Sequence, residues 1–180
     1  MMWCFKLALD GDKKILLILR HAKSSWKNSS YLPDHDRPLN KRGKKQGIRM
    51  GKLLKELGNV PDYVITSTAK RAVDTSKLMV ESSVYGGKVE LDSSLYHHES
   101  AEQCISILCK VPNGYTKVLL IGHNPSLEGL INKLTNRTEI MKTCSLAQID
   151  LRIKSWKDIV YEENVFGILV NIWHPNLNKK

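Results

Sequence analysis

Several things missing from this sequence narrow it first. No apolar stretch approaches the ~18 residues that a membrane-spanning helix needs. The apolar start, Met1 to Phe5, is cut off by Lys6 and Asp10, leaving no room for the roughly 7–15 apolar residues of a signal-peptide core. A cytoplasmic protein with no membrane partner is the expectation. The four cysteines, Cys4, Cys104, Cys109 and Cys144, form no CxxC pair, which argues against a disulfide framework and fits reduced thiols. The six histidines do not cluster with them, so the spacing of a zinc site is absent; no metal and no cofactor are expected. Acidic residues are scarce, 18 against 28 Lys and Arg for a formal charge of +10. Such a balance favours an anionic partner: a phosphorylated substrate, nucleic acid or anionic lipid. Repeats and low-complexity linkers are also missing, so the 180 residues are read as a single domain over 1–180.

What is present is an alternation of short apolar runs and amphipathic segments. Ile15 to Leu19 is a continuous apolar run, as in a strand buried on both faces of a parallel sheet. Residues 40–57 read as a helix capped by Asn40, with Ile48, Met50, Leu53, Leu54 and Leu57 as its apolar side and Gly58-Asn59 as its stop. Tyr63 to Thr66 reads as a second strand, and Thr68 to Met79 as a helix opened by Ser67 or Thr68. A short strand near Val89 and Leu91, a helix over 101–109 and a buried strand at Val118 to Ile121 follow. Pro125 is placed to start a further helix, to about Leu134. Strand-like pieces recur near 146–153 and 165–173. The predicted architecture is α/β: a three-layer, mainly parallel sheet flanked by helices, in a single compact domain. The motif-bearing part spans about 14–135, and 136–180 completes the sheet.

Both long buried runs end in a histidine, at Arg20-His21 and Gly122-His123. Ligands of open α/β sheets bind beyond the carboxyl ends of the strands, so the two histidines are placed to face one pocket. Arg71 falls in the first turn of its helix, where a cation opposes the helix dipole by about 0.3–1 kcal/mol. An anion held between them would remove that conflict. Arg20 supplies a second planar fork, and two such forks suit a phosphoryl group. The basic run from Arg37 to Lys55 is read as a solvated helix face.

Arg20-His21-Ala22-Lys23-Ser24-Ser25-Trp26 resembles the Arg-His-Gly signature of the histidine phosphatase superfamily, which includes the phosphoglycerate mutases. Asp36-Arg37-Pro38-Leu39-Asn40 with Gly43, then Thr66-Ser67-Thr68-Ala69-Lys70-Arg71-Ala72-Val73-Asp74-Thr75, then Gly122-His123-Asn124-Pro125 resemble its further blocks, in order. The wording is most similar to the SixA-type phosphohistidine phosphatase branch. The resemblance implies a phosphoglycerate mutase-like fold and a metal-independent hydrolase of phosphoric monoesters or phosphoramidates. In that scheme His21 is the nucleophile, passing through a covalent phosphohistidine, and Arg20, Arg71 and His123 complete the catalytic set. Lys23, Ser24, Lys27 and Asn124 are further candidates for binding phosphate or substrate. The expected partners are a phosphorylated protein or small molecule, with a phosphate-like oxyanion in the pocket.

Three departures stand out. Ala22 replaces the usual glycine, so the backbone there must avoid positive φ. Lys27 stands where mutase-like members often have asparagine. No carboxylic general acid is evident; His97, His98 and Glu99 are the candidates. Imidazole leaves a phosphohistidine more readily than an alkoxide leaves an ester, so an acid-poor site leans toward phosphoramidates. Two rival classes stay open: a weakly catalytic or inactive phosphate-recognising protein of the same fold, and a nucleic-acid binder using residues 40–57, for which no recognised module is present.

Overall fold

A computed structural model describes residues 13–27, 30–97, 100–160 and 167–175. Strand β1 (Lys14–Arg20) is followed by a 3-10 turn (Asp34–Asp36), helix α1 (Lys41–Glu56), β2 (Tyr63–Ser67) and α2 (Lys70–Ser83). Then come β3 (Val89–Asp92), a single helical turn α3 (Ser94–His97), α4 (Ala101–Leu108), β4 (Lys117–Gly122) and α5 (Ser126–Thr135). Strand β5 (Leu146–Leu151), a second 3-10 turn (Trp156–Val160) and β6 (Ile168–Trp173) end the described chain. The six strands form one sheet in the order β3-β2-β4-β1-β5-β6. The first four are mutually parallel, and β5 runs against both β1 and β6.

Leu16, Leu17, Ile18 and Leu19 are all fully buried, as an uninterrupted apolar run requires, but they serve different layers. Leu16 and Ile18 join the core that holds Leu108, Leu127, Leu130 and Ile131 of α4 and α5. Leu17 and Leu19 join the one that holds Met50, Leu54 and Met79 of α1 and α2. The result is three layers, helices covering both faces of the sheet. None of the described helices is long and apolar enough to cross a membrane.

The structure corrects three local expectations. The inner side of α1 is not Ile48 and Leu57, each 40% exposed, but Gly43, Gln46, Gly47, Met50, Gly51 and Leu54. Glycine lets α1 approach its neighbours backbone to backbone: a Cβ on Gly51 would lie 2.7 Å from the Met79 carbonyl oxygen. The second helix starts at Lys70, with Ala69 at its cap and no side-chain capping bond. Thr68 bonds His35, and the Ser67 hydroxyl accepts from the Ala69 N–H but also faces His123. Pro125 occupies the cap position of α5 rather than its first turn. Asn40 caps α1 as its sequence position implies, accepting from the Gly43 N–H at 2.8 Å.

The segment after residue 135 has two roles. Strands β5 and β6 complete the sheet. The loop before β5 closes on the end of β1: the Cys144 N–H donates to the carbonyls of Arg20 and His21, and the Ser145 carbonyl accepts from the Arg20 N–H.

Candidate active site

Strands β1 and β4 are parallel neighbours in register, Arg20 opposite Gly122. The His21 N–H extends the ladder to the Gly122 carbonyl at 3.1 Å. Both strand-end histidines therefore emerge at the carboxyl edge, side by side, with ring centroids 4.9 Å apart. Ala22 is buried, has no positive φ, and donates its N–H to Thr75 Oγ1 at 3.0 Å. Thr75 in turn donates to the Arg71 carbonyl at 2.6 Å, which ties α2 to the end of β1.

Hydrogen bonds fix the state of each ring. His21 Nδ1 lies 2.8 Å from the Ala22 carbonyl oxygen. A carbonyl only accepts, so Nδ1 carries the proton and Nε2 keeps its lone pair. Burial, reinforced by Arg71, Arg20 and Arg37, pushes the His21 pKa down to about 4 against the opposing Ala22 bond. The ring is neutral at pH 7. His123 Nδ1 faces Arg71 Nη2 at 3.4 Å and must accept, so Nε2–H donates to Ser67 Oγ at 2.9 Å. Burial, then the neighbouring His21 and Arg71, push this histidine to about 3.

Around the rings stand three guanidiniums. Arg20 Nη1 donates to the Met141 carbonyl at 2.7 Å. Arg71 Nη1 donates to the Asp34 carbonyl at 2.7 Å, and its Nη2 pairs with the Asp34 carboxylate at 3.0 Å. In both residues Nε is buried without a hydrogen-bond partner among the described residues. Buried N–H groups are rarely left so, and guanidinium N–H groups beside a neutral imidazole have the chemistry to bind an oxyanion.

Arg37 is the third. It pairs with Asp34 at 2.8 Å, donates to Ser24 Oγ at 3.0 Å and stacks on Trp26 at 3.7 Å. Burial alone would raise the Asp34 carboxyl, but Arg71 and Arg37 outweigh it and hold its pKa below the ordinary value. Tyr96 donates its hydroxyl to the same carboxylate at 3.2 Å, and its ring stands 5.9 Å from that of His123.

The fold brings His21, Arg20, Arg71 and His123 together at one edge of the sheet. The other candidates scatter. Ser24 is buried beneath Arg37. Lys23 and Lys27 are exposed. The Asn124 amide is engaged by Glu128 and the Met141 carbonyl, so it braces the loop over Arg20 rather than presenting a free donor. His97 is exposed against Tyr96, and His98 and Glu99 lie outside the described residues. Sequence reasoning missed Asp34 and Tyr96, and placed Arg37 on the basic helix face. The i,i+3 spacing of Asp34 and Arg37 was the available signal.

A family model, the histidine phosphatase superfamily (branch 1), matches residues 16–97. An uncharacterized chloroplastic protein of Arabidopsis thaliana is 32% identical over 152 residues, 79% of this chain and 69% of its own. A 2,3-bisphosphoglycerate-dependent phosphoglycerate mutase of Streptomyces avermitilis is 42% identical over 69 residues, covering 38% of this chain but only 27% of the mutase. Among solved structures, the putative phosphohistidine phosphatase SixA from Nakamurella multipartitia superposes with a TM-score of 0.79 at 21% identity, covering 91% of this chain and 97% of that one. The protein histidine phosphatase SixA complexed with tungstate gives 0.73 at 20% identity, over 89% and 97%.

Proposed function

The chain belongs to the histidine phosphatase superfamily, and we propose that it is a metal-independent phosphatase working through a covalent phosphohistidine on His21. The observation that carries this reading is the pairing of a neutral His21, its Nε2 lone pair unprotonated, with the unpartnered buried Nε–H groups of Arg20 and Arg71. In the proposed cycle Nε2 attacks phosphorus, the bond to the leaving group breaks with its electron pair, and the guanidiniums hold the charge spread over the phosphoryl oxygens. Water then attacks phospho-His21, releasing phosphate and restoring the imidazole. The arginines supply the positive charge that a divalent cation supplies in many phosphoryl-transfer enzymes. His123 supports the arrangement by fixing one edge of Arg71. A structural neighbour complexed with tungstate lends support to an oxyanion as a ligand of this fold.

The preferred substrate class is a P–N bond, in a phosphohistidine protein or a small phosphoramidate. Asp34 is held ionised by two arginines. Glu128 accepts from the Asn124 amide and the Met141 N–H. Asp34 is therefore not poised to protonate an alkoxide, and Glu128 is taken up by the Met141 loop. A phosphohistidine that already carries a proton on its other ring nitrogen, by contrast, releases neutral imidazole without that help.

Rapid quenching after incubation with a labelled phosphorylated substrate tests the intermediate. Acid-labile, base-stable label on His21, absent from His21→Ala and insensitive to chelators, is the expected result. Label on a serine or cysteine, or a requirement for added metal, overturns it.

A further inference from the structure

The outer face of α1 carries more positive charge than a solvated helix needs. Lys41, Arg42, Lys44, Lys45, Lys52 and Lys55 are exposed, and none has an ion-pair partner among the described residues; only Arg49 is paired, with Glu56 at 3.7 Å. At 100° per residue, Lys41, Lys45 and Lys52 fall within ~40° of one line along the helix. The first turn holds no acid, so Lys41 and Arg42 face the positive end of the helix dipole without relief. In the middle of the cations sits Ile48, 40% exposed.

The N-terminal end of this helix lies beside the site. The Asn40 N–H donates to the Lys23 carbonyl at 3.0 Å, two residues beyond His21, so the first turn of α1 abuts the loop carrying the proposed nucleophile. Lys23 and Lys27, both exposed, continue the charge along that loop.

We propose that the outer face of α1 is the docking surface for an acidic protein whose phosphoryl group is presented to His21. The inference rests on the phosphatase reading above and names the kind of molecule that carries the substrate. An aliphatic centre ringed by cations suits a folded or peptide partner with carboxylates around a small apolar contact. A membrane fits less well, because the apolar side of α1 is spent on the core and Ile48 alone remains to insert. Single-stranded nucleic acid fits less well, because α1 has no aromatic ring on its exposed face and the exposed Trp26 of the adjoining loop already has one ring face covered by Arg37.

The test uses two synthetic peptides, each with one phosphohistidine, flanked by glutamates in one and glutamines in the other. At low salt the wild type should hydrolyse the glutamate peptide with kcat/KM at least ~10-fold higher, a preference that fades toward ~0.5 M salt. The triple variant Lys41→Glu, Lys45→Glu, Lys52→Glu should lose the preference while its kcat/KM on an aryl phosphate stays within ~2-fold, since Lys and Glu have similar helix propensity. Equal rates on the two peptides in the wild type, or an undiminished preference in the variant, overturn the proposal. Fluorescence anisotropy with the unphosphorylated glutamate peptide separates this result from failure of the substrate reading. If neither phosphohistidine peptide is turned over, binding that disappears in the triple variant still supports the surface, and binding unaffected by it overturns it. Tighter binding of a short RNA or of phosphatidylserine vesicles, lost in the same variant, would also overturn the acidic-protein assignment.

Discussion

Arg71 grips Asp34 twice, through its backbone carbonyl at 2.7 Å and its carboxylate at 3.0 Å, across 37 positions of sequence. That double hold aims the guanidinium and leaves its Nε–H buried without a partner among the described residues. It also resolves the oddity of a cation in the first turn of α2: the opposing charge comes from a neighbouring loop. The same carboxylate receives Arg37, so one acid orients two of the three guanidiniums.

Asp34→Asn should therefore lower kcat by about 10–100-fold, the scale of a misaligned catalytic group. Affinity for inorganic phosphate as an inhibitor should not weaken, because the substitution removes a negative charge near the guanidiniums. Steady-state kinetics with phosphate inhibition separates the two effects; a fall in phosphate affinity would mean that Asp34 merely supports the fold.

Replacing Arg71 itself tests the fork. Arg71→Ala should cost at least ~100-fold in turnover, as when one donor to a transition state is lost. Arg71→Lys should recover little, because an ammonium reproduces the charge and not the planar pair of N–H groups. Wild-type-like turnover in the lysine variant would show that charge alone matters there.

The depressed pKa values of His21, about 4, and His123, about 3, lie below the ordinary imidazole value of about 6.5. The folded state thus binds fewer protons than the unfolded chain. This contribution to stability is full above pH ~6.5 and is lost progressively as pH falls through that value toward 4. Imidazole NMR titration should show neither ring protonating above pH ~5, and the melting temperature should decline over the same window. A His21 ring that titrates near 6.5 would contradict the neutral state on which the proposed nucleophile depends.

Gly43 is where the helix layer meets the site. A Cβ there would lie 2.9 Å from the carbonyl carbon and 3.0 Å from the nitrogen of Lys23, both backbone atoms. Gly43→Ala should destabilise the protein by about 1–3 kcal/mol, as overpacking does, and reduce kcat/KM by shifting the loop after His21. Gly114→Ala, which meets nothing within 4 Å, serves as the control in urea unfolding. Equal midpoints for the two variants would show that the loop yields freely.

The substrate class is checked by comparing kcat/KM for a phosphohistidine peptide, an aryl phosphate and an alkyl phosphate at one ionic strength. The expected order is P–N first, aryl second and alkyl last, following leaving-group need for a proton. If the alkyl ester is hydrolysed as fast as the phosphoramidate, a proton donor operates in the site. His97, His98, Glu99 and Tyr96 are then the residues to replace.

The sequence by itself determined the layers and the pair of histidines. Four consecutive apolar residues, Leu16 to Leu19, have nowhere to go but a strand covered on both faces, and the polar residues that follow such a run must emerge at its carboxyl edge. Two such runs in one α/β order put His21 and His123 at the same edge. Tertiary structure decided the rest. Which side of α1 faces inward depended on how closely Gly43, Gly47 and Gly51 let it approach its neighbours, not on where Ile48 and Leu57 fall. Ser67, with cap chemistry written in its side chain, was drawn to His123 instead. The bonds joining Arg71 to Asp34 and His123 span 37 and 52 positions. Periodicity and propensity report only on a residue's near neighbours along the chain, whereas a buried guanidinium takes whichever acceptors the packed layers bring within reach.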